Sequence, residues 1–232
     1  MAEEQPREID QIDIISLVKQ EHDVARTLLE EFKDASKDIP TQQQLCWEII
    51  RVMSQHAAKE EEVLYPALEK IIGESRVQTC LQEHLEVKHM LKDLDEMRLD
   101  QSNLEKGRAL AVKSVESTIT GAYCTFLKLQ TFLAHAAHEE AQELPRLTEL
   151  DEKVQQDLST KWQEVTLRAP TRPHPEAPQK PPQAVEAHKA LAPADAAAGA
   201  QQLHRKRWPI QSRYDIMFMM KRDALSDVPH DV

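Results

Sequence analysis

Residues 56–68 read HAAKEEEVLYPAL, and residues 135–147 read HAAHEEAQELPRL. Both stretches follow the template His-Ala-Ala-x-Glu-Glu, with Pro ten positions after the His and Leu two positions further on. In each copy a Glu follows the His at four residues, which is about 400° of an α-helix, so both side chains point the same way. The repeated stretch therefore predicts two helices that each present a His and a Glu on one face.

A second phrase stands upstream of each copy. Residues 21–29 read EHDVARTLL and residues 83–91 read EHLEVKHML. They share Glu-His, a cation four residues after the His (Arg26 and Lys88) and an apolar pair six and seven residues after it. Because the two phrases alternate along the chain, we interpret them as an internal repeat of a two-helix unit.

Apolar residues recur at steps of three and four around all four phrases, as on the buried face of a helix. These stripes predict helices over about residues 9–32, 41–72, 75–99 and from 104 onwards, with a further helix over about 148–168. Only 4 glycines occur among 232 residues, which favours helix over sheet. We predict an all-α fold: an antiparallel up-and-down four-helix bundle with an extra C-terminal helix, spanning residues 9–168.

The composition excludes several classes of function and location. The net charge of -11 argues against non-specific binding of nucleic acid. We find no secretory signal at the N-terminus and no stretch near the roughly 18 apolar residues that span a bilayer. The cysteines Cys46, Cys80 and Cys124 form no C-x-x-C pair, so neither a disulfide framework nor a thiolate zinc site is indicated. A reducing, cytoplasmic location is expected.

From residue 169 the chain becomes rich in Pro, Ala and Gln. So many prolines, with little apolar surface to bury, predict a disordered tail over residues 169–232. Its end, HRKRWPIQSRYDIMFMMKRDAL (residues 204–225), mixes basic and aromatic residues. That end could dock a protein partner, seek a surface, or have no ordered role.

The polar residues inside the apolar stripes are candidate metal ligands. They are His22, His56, Glu60, His84, His135 and Glu139. A single core histidine is commonly satisfied by a hydrogen bond, and His-Glu ion pairs without metal would be an alternative. Buried carboxylates, however, are costly unless they are paired or bind metal, and nitrogen and oxygen ligands without thiolate suit iron, manganese or zinc.

The repeat predicts how these ligands divide between two ions. One ion would take His22 and His56, and the other His84 and His135. The carboxylates Glu60 and Glu139 would bridge the ions, and open coordination positions would remain for water, dioxygen or peroxide.

The doubled HAAxEE and Glu-His phrases resemble the hemerythrin-like family, also called the HHE cation-binding domain, over roughly residues 9–150. The resemblance implies a four-helix bundle with a non-haem di-iron centre, and it places the family's ligands on the same six residues. Oxygen-carrying members have a second His one turn after the first on the third helix. Here that position is Lys88, and His89 is rotated about 100° away, which argues against reversible oxygen carriage.

Flanking residues leave further choices open. Glu139 is preferred over Glu140 as the second bridge because Glu60 has the same spacing from its His. Arg26 and Lys88 could pair with the bridging carboxylates or extend to solvent. Other side chains could also lie near the site: Glu61 and Glu140 could hydrogen-bond imidazole N–H groups or face solvent, His138 is expected at the rim, and Tyr65 and Tyr123 could reach the centre.

The predicted function is a di-iron centre that binds, senses or reacts with dioxygen, or that buffers iron. Two alternatives stay open at this point. One is a di-iron enzyme that consumes peroxide or nitric oxide, and the other is an interaction module whose bundle is stabilised by metal. No separate acid, base or substrate pocket can be identified in the sequence to choose between them.

Overall fold

The computed structural model describes residues 12–34, 39–96 and 130–206. Within them the chain forms α-helices and helical turns, and no strand occurs in these described ranges. The helices are α1 (Ile14–Asp34), α2 (Ile39–Lys59), α3 (Tyr65–Ile72), α4 (Glu74–Glu96), α5 (Gln130–Gln142), α6 (Glu152–Thr166) and α7 (Gln183–Lys206). The predicted all-α class is confirmed.

Helices α1, α2, α4 and α5 form the bundle. Each packs against its neighbour along the chain, and α5 returns to pack against α1. The apolar stripes predicted from the sequence form the buried faces of these helices. In α1, for example, Val18, Ala25, Leu29 and Phe32 are all buried in the core. The predicted helix starting near residue 104 is described only from residue 130, and its earlier part and Tyr123 lie outside the described residues.

A π-helical turn, Glu60–Leu64, joins α2 to α3. The backbone N–H of Tyr65 donates to the carbonyl of Glu60, five residues back. Pro66 accounts for this wider turn, because it has no N–H for the carbonyl of Glu62 and its ring would clash with that carbonyl in a regular α-helix. Pro66 thus does not end the helix; α3 continues to Gly73, whose φ of 85° favours glycine.

A 3₁₀ turn (Leu144–Glu149) leads from α5 to α6, which docks beside the bundle as predicted. Leu158, Trp162 and Val165 of α6 are buried in one apolar cluster with residues of α1, α3 and α4. The Trp162 ring lies edge-on to His56, with centroids 5.8 Å apart. The extra helix therefore forms one wall of the region that holds the candidate ligands.

The prediction of a disordered tail from residue 169 is wrong for residues 169–195. This C-terminal segment belongs to the same compact unit as the bundle. It buries Ala169 and Ala184, and the side chains of Arg168 and His188 both contact Glu62 of the π turn. Tertiary packing and ion pairs order a stretch whose composition suggested disorder; no helix forms until residue 183, in keeping with the prolines before it.

A second unit begins at residue 196, and the structure describes its residues 196–206, the end of α7. The predicted docking peptide at residues 204–225 lies almost wholly outside the described residues. None of the helices described is both long and apolar enough to cross a membrane.

Candidate metal centre

Four histidine side chains meet inside the bundle, one from each of its helices. They are His22, His56, His84 and His135, and all four are buried. The Nε2 atoms of His22 and His56 are 3.1 Å apart. Those of His84 and His135 are 3.2 Å apart. The imidazoles therefore form the two pairs that the repeat predicts, with the same nitrogen of every ring turned inward.

Carboxylates complete two groups of ligand atoms. The first ligand group consists of His22, His56, Glu60 and Glu139, and the second consists of Glu60, His84 and His135. In each group one ligand atom per residue lies within 4.8 Å of the others. All six residues singled out from the sequence thus lie together; their binding of metal stays a prediction.

Glu60 lies between the two pairs. Its Oε1 is 2.9 Å from Nε2 of His56, and its Oε2 is 2.9 Å from Nε2 of His84. Glu139 Oε2 is 3.4 Å from Nε2 of His22. Glu60 thus has the position of a bridging ligand, whereas Glu139 belongs to the first group alone. The bridging role expected for Glu139 stays a prediction.

The outward nitrogen of each imidazole faces a carboxylate. The Nδ1 atoms of His22, His56, His84 and His135 lie 2.7, 3.0, 3.3 and 2.7 Å from Glu140, Glu21, Glu61 and Glu83, respectively. Such carboxylate–imidazole contacts fix the ring orientation of metal-binding histidines. Glu61 and Glu140 therefore hydrogen-bond imidazoles, the first of the two roles left open for them.

Glu21 and Glu83 were missed by sequence reasoning. They are the Glu of each Glu-His phrase, and each contacts the His of the following HAAxEE phrase, His56 or His135. Sequence reasoning could have identified both residues, because they occupy the same position in the two Glu-His phrases. Every acidic position shared by the two pairs of phrases thus either belongs to a ligand group or contacts an imidazole.

Basic residues hold these outer carboxylates. Arg26 donates to Glu140 and Lys88 donates to Glu61, so both cations pair with the outer carboxylates rather than with the bridging ones. Lys59 pairs with Glu21. Burial would raise the pKa of Glu21, but the Lys59 charge and the hydrogen bond from His56 lower it to about 2.

The inner carboxylates also affect the imidazoles. Burial by itself would lower the pKa of His22, but the adjacent Glu139 and Glu60 outweigh burial and raise it to about 10. The pKa of His84 is raised to about 9 against the same burial effect, by Glu60 and Glu61. In the metal-free protein these imidazoles therefore hold protons that compensate the buried negative charge.

The donor set fits metal ions. Each Nδ1 faces a carboxylate and carries the ring proton, so in the neutral imidazole the inward Nε2 offers a lone pair. The carboxylate oxygens of Glu60 and Glu139 have no hydrogen-bond partner among the described residues. When the imidazoles are neutral, nitrogen and oxygen lone pairs converge in this buried site, and bound cations would balance them.

Tyr65 reaches the second ligand group. Its hydroxyl is 2.7 Å from Nε2 of His84 and 3.3 Å from Nε2 of His135. Burial, together with the charges of Glu139 and Glu60, raises the pKa of Tyr65. The phenol therefore stays protonated in the metal-free protein, with its oxygen at hydrogen-bonding distance from both imidazoles.

The remaining histidines near the centre lie outside it. His138 is 51% exposed and contacts Arg76 and Glu143, which agrees with the expected rim position. His89 is exposed on α4, on a different face from His84. Neither side chain belongs to a ligand group.

Comparison with known proteins identifies the family. The model of the hemerythrin HHE cation-binding domain matches residues 13–147, more than half of the chain. The chain is also similar to an uncharacterized hemerythrin-like protein of Schizosaccharomyces pombe, with 29% identity over 158 residues that cover 66% of this chain and 68% of the relative. No solved structure matches significantly. The chain belongs to the hemerythrin HHE cation-binding family, whose domain binds metal, and its His and Glu clusters could hold it.

Proposed function

We propose that the protein binds two iron ions as a non-haem di-iron centre that senses or reacts with dioxygen, or buffers iron. One ion would be held by the first ligand group and the other by the second, with Glu60 shared between them. The observation that carries this proposal is the convergence of four inward Nε2 atoms and two buried carboxylates that lack hydrogen-bond partners.

The ligand chemistry favours iron. Each group offers two imidazoles and at least one carboxylate, and no cysteine lies in either group. Two histidines and one carboxylate with open positions are typical of non-haem Fe(II) sites. When bound, the iron would supply electron transfer to small oxidants, while the protein's own residues orient the imidazoles and keep bulk water from the buried site.

The surroundings of His84 argue for sensing or redox chemistry over oxygen carriage. Lys88 lies one turn after His84, where carriers have another imidazole, and its ammonium is 2.6 Å from Glu61. It can therefore fix Glu61 against His84 but cannot bind an ion while protonated. We infer that dioxygen is a ligand or co-reactant of this centre, in a reducing compartment such as the cytoplasm that keeps the buried Cys46 and Cys80 as free thiols.

The test is an anaerobic iron titration of the full-length protein. We expect about two irons per chain and a change in the visible spectrum when the iron(II) protein meets air. His84→Ala should lose one of the two irons, because it removes a ligand of the second group alone. His89→Ala removes an exposed imidazole from the same helix and should bind both irons; equal binding by wild type and the His84 variant would refute the proposal.

A further inference from the structure

Tyr65 distinguishes the two halves of the centre. It begins α3 directly after the π turn, and its side chain is 2% exposed. The equivalent position in the second HAAxEE phrase is Leu144, which is fully buried in the apolar core. The first HAAxEE phrase therefore has a hydroxyl near one proposed ion position, whereas the second phrase has an aliphatic side chain at the equivalent sequence position.

The second ligand group has fewer anionic ligands than the first. The first contains the carboxylates of Glu60 and Glu139, whereas the second contains Glu60 alone. The Tyr65 oxygen lies within 3.3 Å of both inward nitrogens of the second group. An anionic phenolate at this position would give the second group the oxygen ligand that it lacks.

An ion at the second group would remove the present partner of the hydroxyl. Nδ1 of His84 faces Glu61, so an ion would bind at Nε2, and that atom could then no longer share a hydrogen bond with the Tyr65 hydroxyl. The other contact of the hydroxyl is Nε2 of His135, a ligand of the same ion. Without another bond the buried hydroxyl would be left unsatisfied, which destabilises a protein.

We propose that Tyr65 is a protein ligand of the second iron, bound through its phenolate oxygen. This inference rests on the proposed di-iron function and adds that the two iron positions differ chemically. The second iron would have two imidazoles, Glu60 and a phenolate, and the first would have two imidazoles, Glu60 and Glu139. Binding displaces the phenolic proton to solvent and changes no oxidation state.

The experiment is resonance Raman and visible spectroscopy of the full-length protein loaded with iron(III). A phenolate bound to iron(III) gives a charge-transfer band whose excitation enhances tyrosine ring vibrations. We expect these signals in the wild type and in the Tyr123→Phe plus Tyr214→Phe double variant, which retains Tyr65 as its only tyrosine. Tyr65→Phe should lose them and bind one of two irons about ten-fold or more weakly.

Each outcome bears on the inference. Two bound irons without tyrosine vibrations in the wild type would overturn the role of Tyr65 and leave the di-iron proposal intact, whereas failure to bind iron would overturn both. Signals that persist in Tyr65→Phe, or that vanish in the double variant, would also refute it. If Tyr65→Phe does not fold, the wild type and the double variant still decide.

Discussion

Glu21 and Glu83 have equivalent positions in the repeat but different surroundings, so their replacement by Gln tests the outer carboxylates. Glu21 is 14% exposed and accepts from His56, Lys59 and Trp162. Glu83 is 39% exposed and accepts from His135. In Glu21→Gln the neutral amide would leave the buried Lys59 ammonium without a compensating negative charge. In Glu83→Gln no buried cation would be left unpaired in this way.

The expected loss in the free energy of unfolding follows from how deeply each carboxylate is buried. Removing one partner of a buried ion pair costs about 3–5 kcal/mol, and because Glu21 keeps some solvent contact we expect about 3 kcal/mol for Glu21→Gln. The lowering of the Glu21 pKa from 4.5 to about 2 indicates a similar energy at about 1.4 kcal/mol per pH unit. That stabilisation is present above pH 4.5 and is lost as the pH falls through about 2. For Glu83→Gln we expect about 0–1 kcal/mol, as for exposed pairs.

The assay is urea unfolding of the metal-free variants at pH 7, with the wild type alongside. The midpoint of Glu21→Gln should fall by about 1 M or more, since the dependence on urea is roughly 1–3 kcal/mol per molar. Iron binding should weaken by about 10–100-fold in both variants, because each loses a carboxylate that orients an imidazole. Equal stability of the two variants, or a loss below about 1 kcal/mol for Glu21→Gln, would refute the reasoning.

Three further predictions concern other parts of the structure. Gly73→Ala should cost about 1–3 kcal/mol in thermal unfolding, because a φ of 85° with a ψ of 157° is essentially restricted to glycine; beyond the adjacent residues no described atom lies within 4 Å of the added methyl group, so the cost is conformational. His188→Ala should speed cleavage after the exposed Glu176 by a glutamate-specific protease, because His188 holds the C-terminal segment to Glu62. Cys46 and Cys80 should resist thiol reagents at pH 8 in the folded Cys124→Ser protein, since burial raises the pKa of each thiol to about 12.

Each of these predictions has a matched control. Gly73→Asn should cost as much as Gly73→Ala, because a ψ of 157° lies outside the left-handed helical region that Asn tolerates. Lys189→Ala removes an exposed neighbour of His188 and should leave cleavage after Glu176 unchanged. Urea should expose both cysteines to the reagent, and labelling as fast in native buffer as in urea would contradict the buried positions.

The sequence predicted the bundle because its signal is local and repeated. His and Glu at turn spacing within apolar stripes determine which faces turn inward, and the six candidate ligands do lie together in the structure. The role of Glu21 is less direct, because it is rotated about 100° from His22 and acts on a different helix. The only indication in the sequence that Glu21 has a role is the presence of Glu83 at the equivalent position of the second Glu-His phrase.

Other features depend on contacts that no local pattern contains. The order of residues 169–195 comes from contacts such as Arg168 and His188 with Glu62, more than 100 positions away in the chain. The composition of this segment predicted disorder, because it has many prolines and few apolar residues. The tertiary contacts that order it cannot be read from composition. The hydroxyl of Tyr65 likewise breaks the symmetry of the site where the repeat is imperfect, at a position that is Leu144 in the second copy.

The most direct test of a two-iron centre is an anomalous difference map from crystals of the iron-loaded protein, measured at the iron absorption edge. We predict two peaks inside the bundle about 3.5–4 Å apart, one beside His22 and His56 and the other beside His84 and His135, with Glu60 between them. A single peak, or none at these residues, would contradict the di-iron centre.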